Sequence, residues 1–470
     1  MRSLVWLRND LRIEDNPALS AACDQGEVLV LYVLEDESAG IRPLGGAARW
    51  WLHHSLSELA ARLQDLGGEL ILRRGDAGKI IPALVEELSL DAVFWNRRYG
   101  GPERTLDAGL KASLSDSGLR AESFKANLLF EPWELKTGNG GPYKVFTPFW
   151  RACMEKLQPR EPLAAPQQVV SISPVAGESL DDWALLPTNP DWSAGLAEEW
   201  QPGESGAQQR VADFLDRQAK DYASARDEPA VEATSRLSPH LRFGELSPLQ
   251  LWHVVEKTRG LDPQDSAVFR SEVGWREFCW HLLYNNPDLA TQNYREEFDR
   301  FNWLAPSPAE LAAWQQGRTG YPLVDAGMRQ LWQTGWMHNR VRMVVASFLV
   351  KNLLVDWRIG EQWFWDTLVD ADAASNPANW QWVAGSGADA APYFRIFNPV
   401  TQSKKFDAAG AYLRHFVPEL AAFDERLIHE PWKASPVLGQ DLDYPEPLVE
   451  LAASRERALA AYQAMREALS

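Results

Sequence analysis

Glu272, Trp275 and Arg276 are spaced i, i+3 and i+4, which sets a carboxylate, an indole and a guanidinium on one helix face. Such a face can hydrogen-bond and stack against a flat ligand. A plain Glu–Arg surface pair beside a half-buried Trp has the same spacing. Asn339, Arg342 and Met343 repeat the pattern, and Arg340 points elsewhere, where it can reach a backbone phosphate. A mid-helix Asn beside apolar residues destabilises the fold unless it is hydrogen-bonded, by a ligand or within a satisfied core. Asp370, Asp372, Asn376, Trp380 and Trp382 lie within thirteen residues. Asp-x-Asp is half of a metal site, but no companions stand at metal-ligand spacing, so no metal is expected and helix capping reads equally well. Thr234, Ser235, Arg236 and Leu237 lead into Ser238-Pro239. That order predicts Ser238 as N-cap with Pro239 at the first helical position. Free N–H groups at a helix start suit a phosphate, and a plain capped helix fits as well.

The chain holds 22 Trp in 470 residues, twelve of them from Trp252 to Trp382. Trp is large and its indole N–H needs a partner when buried. So dense a cluster suggests ring stacking or electron passage as well as packing. Net charge is −18, which opposes non-specific nucleic-acid binding by the whole surface. From Arg318 to Arg358, however, six Lys/Arg face two Asp/Glu. One basic face of this kind can hold a phosphate backbone, although a solvated helix face reads alike. Cys23, Cys153 and Cys279 are too few and too scattered for a disulfide framework. No apolar run is long enough for a membrane span, and the N-terminus reads as a strand, not a signal peptide. A cytoplasmic protein without membrane contact is expected.

These side chains must be positioned by two kinds of architecture. Apolar runs at 4–7, 28–34, 69–72 and 92–95 alternate with amphipathic stretches at 47–66 and 77–88. Such alternation predicts a parallel α/β sheet over residues 1–130. No G-x-G-x-x-G follows the first run, so ordinary nicotinamide binding is disfavoured. Prolines crowd 158–206 and predict a long connector, placed at 131–206. Helical periodicity dominates 207 to about 420, with a long apolar helix at 341–354 and another at 247–258; with a terminal helix at 448–469 it predicts a helical domain over 207–470.

Together the motifs resemble the photolyase/cryptochrome family over nearly the whole chain. The most specific blocks are 6–17, 319–329, 335–343, 379–382 and 391–399. The resemblance implies a Rossmann-like α/β antenna domain, a linker and an all-α FAD-binding domain. It implies that Tyr222, Thr234, Ser235, Arg236, Leu237, Ser238, Arg276, Asn339, Arg342, Asp370, Ala371, Asp372 and Asn376 hold the FAD. Asp370 and Asp372 would touch the flavin–ribityl region with Arg342 paired to Asp370, and Asn376 would sit beside flavin N5. Glu272 and Asn339 would hydrogen-bond a flipped pyrimidine dimer. Trp275 and Trp382 would flank it, Met343 would line the pocket, and Arg226, Arg340 and Arg395 would grip the DNA backbone. Trp380, Trp357 and Trp303 match the family's electron chain. Trp314, Trp332, Trp336, Trp363 and Trp365 are assigned to core packing.

Asn339 and Met343 stand where (6-4) photolyases carry histidines, which favours cyclobutane dimers. Residues 49–52 and 364–368 resemble plant cryptochromes, but those carry Asp where this chain has Asn376. The resemblance is therefore strongest to bacterial class III cyclobutane dimer photolyases, which act as monomers on damaged DNA. The alternatives are a cryptochrome-type blue-light receptor without repair and a flavin electron carrier without DNA. Of the Asn-Glu pair that family members with a folate antenna carry, only Glu103 is present, after Pro102. A methenyltetrahydrofolate antenna in a shifted site is the expectation.

Overall fold

The computed structural model describes residues 1–390, 394–434 and 443–469. Of the block 391–399, Ala391, Pro392 and Tyr393 lie outside the described residues. Contacts divide the chain into two compact units, one of residues 1–220, 235–287 and 369–372, the other of 221–234, 288–368 and 373–470.

The first unit is built on a parallel sheet. Its strands are β1 (Arg2–Leu7), β2 (Glu27–Leu34), β3 (Leu70–Arg74), β4 (Ala92–Asn96), β5 (Arg120–Phe124) and β6 (Val170–Ser171). The order is β3-β2-β1-β4-β5, as in doubly wound dinucleotide folds, and every pairing is parallel. β1, β2 and β4 read as continuous apolar runs because both faces of a parallel sheet are covered; Leu4, Trp6, Leu29, Leu31, Val93 and Trp95 form one core with Ile81 and Leu84 of the helix Ala77–Leu88. β5 was not anticipated. Its sequence, Arg120-Ala121-Glu122-Ser123-Phe124, mixes charge into a sheet edge, where apolar continuity is not required. β6 is a second departure: the Pro-rich connector contributes a short strand that pairs with the Glu27–Val28 end of β2, while β3 takes Val30–Leu34. Two helices of this unit carry expected site residues: Ser238–Phe243 and Pro263–Asn285.

The second unit is helical. Its main helices are Pro322–Thr334, Asn339–Ser347, Trp357–Thr367, Ser375–Ala384, Pro399–Phe406 and Leu451–Glu467. The long helix expected over 341–354 is broken: α geometry ends at Ser347 and a π-helical turn covers Phe348–Asn352. That turn brings Lys351 inward, where Nζ donates to Ala384 O, and Asn352 Nδ2 donates to Ser454 Oγ. Among the described residues, no helix is long and apolar enough to cross a membrane.

Candidate functional site

Each unit carries its own share of the expected residues. In the first unit, Ser238 is not the N-cap. Leu237 occupies that position, Ser238 is the first helical residue, and its hydroxyl donates instead to Asp370 Oδ2 at 2.7 Å. Arg236 has a left-handed backbone (φ 51°), unusual for a residue with a Cβ, and its guanidinium pairs with Glu199. Its side chain is thus directed at the connector, and its main chain turns the 234–238 loop. Arg242, on the helix Ser238–Phe243, ties that helix to the 370–372 segment, with Nε donating to Ala371 O at 2.8 Å and Nη1 to Asn9 Oδ1 at 3.0 Å. Burial pulls this guanidinium below its ordinary pKa, and Asp372 opposes the shift.

Glu272, Trp275 and Arg276 do share the helix Pro263–Asn285. Arg276 is not a surface partner for Glu272, since it donates to Asn127 O at 2.9 Å. Trp275 is half-buried, and Phe146 lies flat against one ring face, 3.7 Å between centroids and 10° between planes. Phe146 went unnoticed because it sits far away in sequence, on the helix Phe146–Lys156.

A cleft opens beyond the carboxyl ends of β1 and β4, where the strand order reverses and such folds bind ligands. Asn9, Arg97, Arg98, Tyr99, Gly100, Glu103 and Trp280 are among its walls. Tyr99 meets Trp280 edge-on and also meets Trp133, which meets Tyr284.

In the second unit, Asn339 is not mid-helix. It opens the helix Asn339–Ser347 and is exposed, so water satisfies its amide at no folding cost. The residue doing buried polar work there is His338, whose Nδ1 accepts the Arg340 N–H as N-cap. Burial pushes the His338 pKa down to about 4, so the ring is neutral. Arg342 Nε donates to Met337 O. Tyr222 is buried beneath the Arg226 guanidinium, and Arg395 is exposed.

Asn376 is buried, and its Nδ2 donates both to Glu361 O at 3.0 Å and to Glu361 Oε1 at 2.8 Å. Both amide protons are thereby committed, which leaves Oδ1 as the remaining acceptor. Glu361, 2% exposed, was missed because a carboxylate inside Trp357–Thr367 reads as a surface position. Trp380 is buried against Phe364 at 4.9 Å and Trp314 at 6.3 Å, both edge-on. Gly360 makes this possible: a Cβ there would stand 2.2 Å from Trp380 Cη2. Trp357 is fully buried, donates from Nε1 to Asn293 Oδ1 at 2.9 Å and has the Arg358 guanidinium over its ring. Trp303 packs on Phe301 at 4.4 Å. Trp382 donates from Nε1 to Asp389 O at 3.0 Å. Of the tryptophans assigned to the core, Trp314, Trp336 and Trp365 are buried, but Trp332 is 52% exposed and lies parallel to Trp363.

The residues near the two ends of the chain match different profiles: residues 3–167 match DNA photolyase, and residues 269–464 match the FAD binding domain of DNA photolyase. The deoxyribodipyrimidine photo-lyase of Agrobacterium fabrum is 50% identical, over 99% of this chain and 98% of the relative. Cryptochrome-1 of Arabidopsis thaliana is 37% identical, over 97% of this chain and 69% of the relative. The crystal structure of a bacterial class III photolyase from Agrobacterium tumefaciens superposes with a TM-score of 0.95 at 50% identity, covering 99% of this chain and 98% of that one. With this agreement in sequence and in fold, the chain belongs to the photolyase/cryptochrome family.

Proposed function

We propose that the protein is a deoxyribodipyrimidine photo-lyase that repairs cyclobutane pyrimidine dimers in DNA under blue light. FAD, when bound and reduced, supplies the light-driven electron that splits the dimer. The residues present suit that group. Hydroxyls of Thr234 and Ser235 stand beside a left-handed turn at Arg236, a donor set for a pyrophosphate, while the Ser238 hydroxyl is given to Asp370 and steadies the turn. Arg236 contributes through its main chain, because its guanidinium is engaged by Glu199. Tyr222, Leu237, Arg276, Arg342, Asp370, Ala371 and Asp372 complete the cofactor site in this reading.

The orientation of Asn376 is the observation that supports repair most directly. Its amide is neutral, so it adds no charge to compete with an anionic reduced cofactor. Because Glu361 takes both N–H groups, Oδ1 is the atom left to accept, and it would suit the N5–H of a reduced flavin. Glu272 and Asn339 hydrogen-bond the dimer, Trp275 and Trp382 stack on it, and Met343 fills beside it. Stacking on an aromatic face is worth about 1–3 kcal/mol per base, comparable to what flipping a damaged base costs. Arg226, Arg340 and Arg395 take backbone phosphates. Trp380, Trp357 and Trp303 return reducing electrons to the cofactor site. We assign residues 1–130 to the antenna domain, 131–206 to the linker and 207–470 to the FAD domain, in a cytoplasmic monomer.

For the antenna, the cleft beyond β1 and β4 has Glu103, Tyr99 and Trp280 among its walls. An acceptor among aromatic faces suits the flat, amino-bearing ring of a reduced folate, methenyltetrahydrofolate. An absorption spectrum of the purified protein tests this: a near-ultraviolet chromophore present in wild type and lost in Glu103→Gln is expected.

The decisive experiment illuminates photoreduced protein with dimer-containing DNA and measures restored thymines. Failure to repair with fully reduced flavin bound would exclude the reading and favour a cryptochrome-type receptor, to which the Arabidopsis relative is the pointer.

A further inference from the structure

Arg340 is already committed to several neighbours. Nη2 donates to Asp227 Oδ2 at 2.5 Å, and Nη1 approaches Met343 Sδ at 3.8 Å. The guanidinium lies 4.7 Å over the Phe406 ring, and its Nε–H is buried without a hydrogen-bond partner. The main-chain N–H of Arg340 is held by His338 Nδ1, which fixes where the side chain starts. Other cations stand near: Arg342 acts with Arg340 on His338, against Asp227, and Lys405 lies over Phe406. Lys404, next along, is taken by Glu430. Asp227 is the carboxylate paired to Arg340, and its side chain is 41% exposed, so an arriving phosphate meets it.

We propose that Asp227 is a positioning residue that holds Arg340 over Phe406 and, by its charge, limits how tightly this face grips a DNA backbone. This rests on the reading of Arg340 as a phosphate contact. A phosphate approaching Arg340 meets an ion pair, not a free cation. It binds at the Nη1 edge, against a sulfur that is only a weak acceptor, while the Asp227 carboxylate repels it. The attraction to backbone phosphate is independent of sequence. The restraint therefore applies equally to damaged DNA and to the repaired duplex, and it speeds departure of the product.

Asp227→Asn keeps the shape and an acceptor for Nη2 but removes the charge. Fluorescence anisotropy with intact and dimer-containing duplexes, from about 50 to 200 mM salt, reads the effect. Neutralising Asp227 should tighten binding of both duplexes about tenfold at the lowest salt and steepen the log–log salt slope by about 0.9, the equivalent of one phosphate contact. The repaired duplex should dissociate correspondingly slower. In an Arg340→Ala background the same change should shift affinity less than about threefold. A flavin spectrum and melting curve like those of wild type establish that D227N is folded, and a merely structural role for Asp227 would not move the salt slope. If R340A weakens binding while D227N leaves affinity and slope as in wild type, or lowers affinity, Asp227 has no such role and the Arg340 contact stands. If R340A binds like wild type, the assignment of Arg340 falls and this proposal falls with it.

Discussion

Trp357 and Trp380 are buried to 0% and 3%, whereas Trp275 and Trp382 are half-buried. The first two are gripped all round: an amide takes the Trp357 N–H, a guanidinium covers its face, and Phe364 and Trp314 wall in Trp380. The second two are only partly covered. Phe146 backs one face of Trp275, and Asp389 O fixes the edge of Trp382. The inner rings of an electron path need to be held still and screened from water, whereas its outer end, Trp303, is half-buried. A stacking platform needs a ring that is held from behind, with surface left for the partner. The same residue type is suited to either task by what its neighbours cover.

The comparison breaks most visibly at Trp380. Trp380→Phe should slow flavin photoreduction about a hundredfold, because Phe is far harder to oxidise than an indole. Repair by enzyme reduced chemically beforehand should stay within about threefold of wild type. Photoreduction at the wild-type rate in this variant would show that the buried ring is packing alone.

Gly360→Ala attacks the burial and leaves the indole in place. The added methyl would stand 2.2 Å from Trp380 Cη2 and 2.7 Å from Leu349 Cδ2, both in a packed interior. Overpacking of this degree costs about 3 kcal/mol, readable by denaturant unfolding, and photoreduction should slow with it. An alanine variant as stable as wild type would mean that Trp380 has room to shift, and that rigidity is not what distinguishes it.

Acidification separates two helix starts of the second unit. The helix of Asn339 and Met343 begins at a buried histidine, while the helix of Trp357 is capped by Asp356, whose Oδ1 accepts the Arg358 N–H. His338 has a pKa of about 4 in the fold, below the usual 6.5, because burial disfavours its charged form. As pH falls below 6.5 the unfolded chain takes up this proton and the folded chain does not, so stability is lost between about 6.5 and 4. From pH 6.5 to 5 the loss is about 2 kcal/mol at 1.36 kcal/mol per unit. His338→Asn, which still suits an N-cap, should unfold with a flatter acid limb. Parallel acid limbs for the two proteins would remove His338 as the cause.

Much of this arrangement was readable from the sequence, and the part that was not has a pattern. Strand runs such as 28–34 announce themselves because both faces are covered, and the i, i+3, i+4 grouping of Glu272, Trp275 and Arg276 survives because one helix contains them. The misreadings occur where a side chain's partner is distant in the chain. Ser238 looks like an N-cap until Asp370 is seen to accept its hydroxyl. Asn339 looks like a buried amide, because the helix start at His338 carries no Ser, Thr or Asp signal. Glu361, Phe146 and Asp227 act on Asn376, Trp275 and Arg340 from elsewhere in the chain. Local periodicity says which face a residue occupies and is silent on what stands behind it.

Phe146 tests that last point with the smallest change. Its ring lies parallel to Trp275 at 3.7 Å, so it supports the indole without touching the outer face. Trp275→Ala removes the platform and should weaken binding of dimer-containing duplex by about 1–3 kcal/mol. Phe146→Leu keeps apolar volume but loses the flat backing, and a stacked aromatic pair is worth about 1 kcal/mol beyond its burial. The expected result is a loss of lesion affinity near that value, with undamaged-duplex affinity and flavin photoreduction unaltered. In the Trp275→Ala background the Phe146→Leu change should cost nothing further, since there is no ring left to hold. Additive losses in the double variant would mean that Phe146 contributes to packing independently of Trp275, and the platform would then owe its position to the helix Pro263–Asn285 alone.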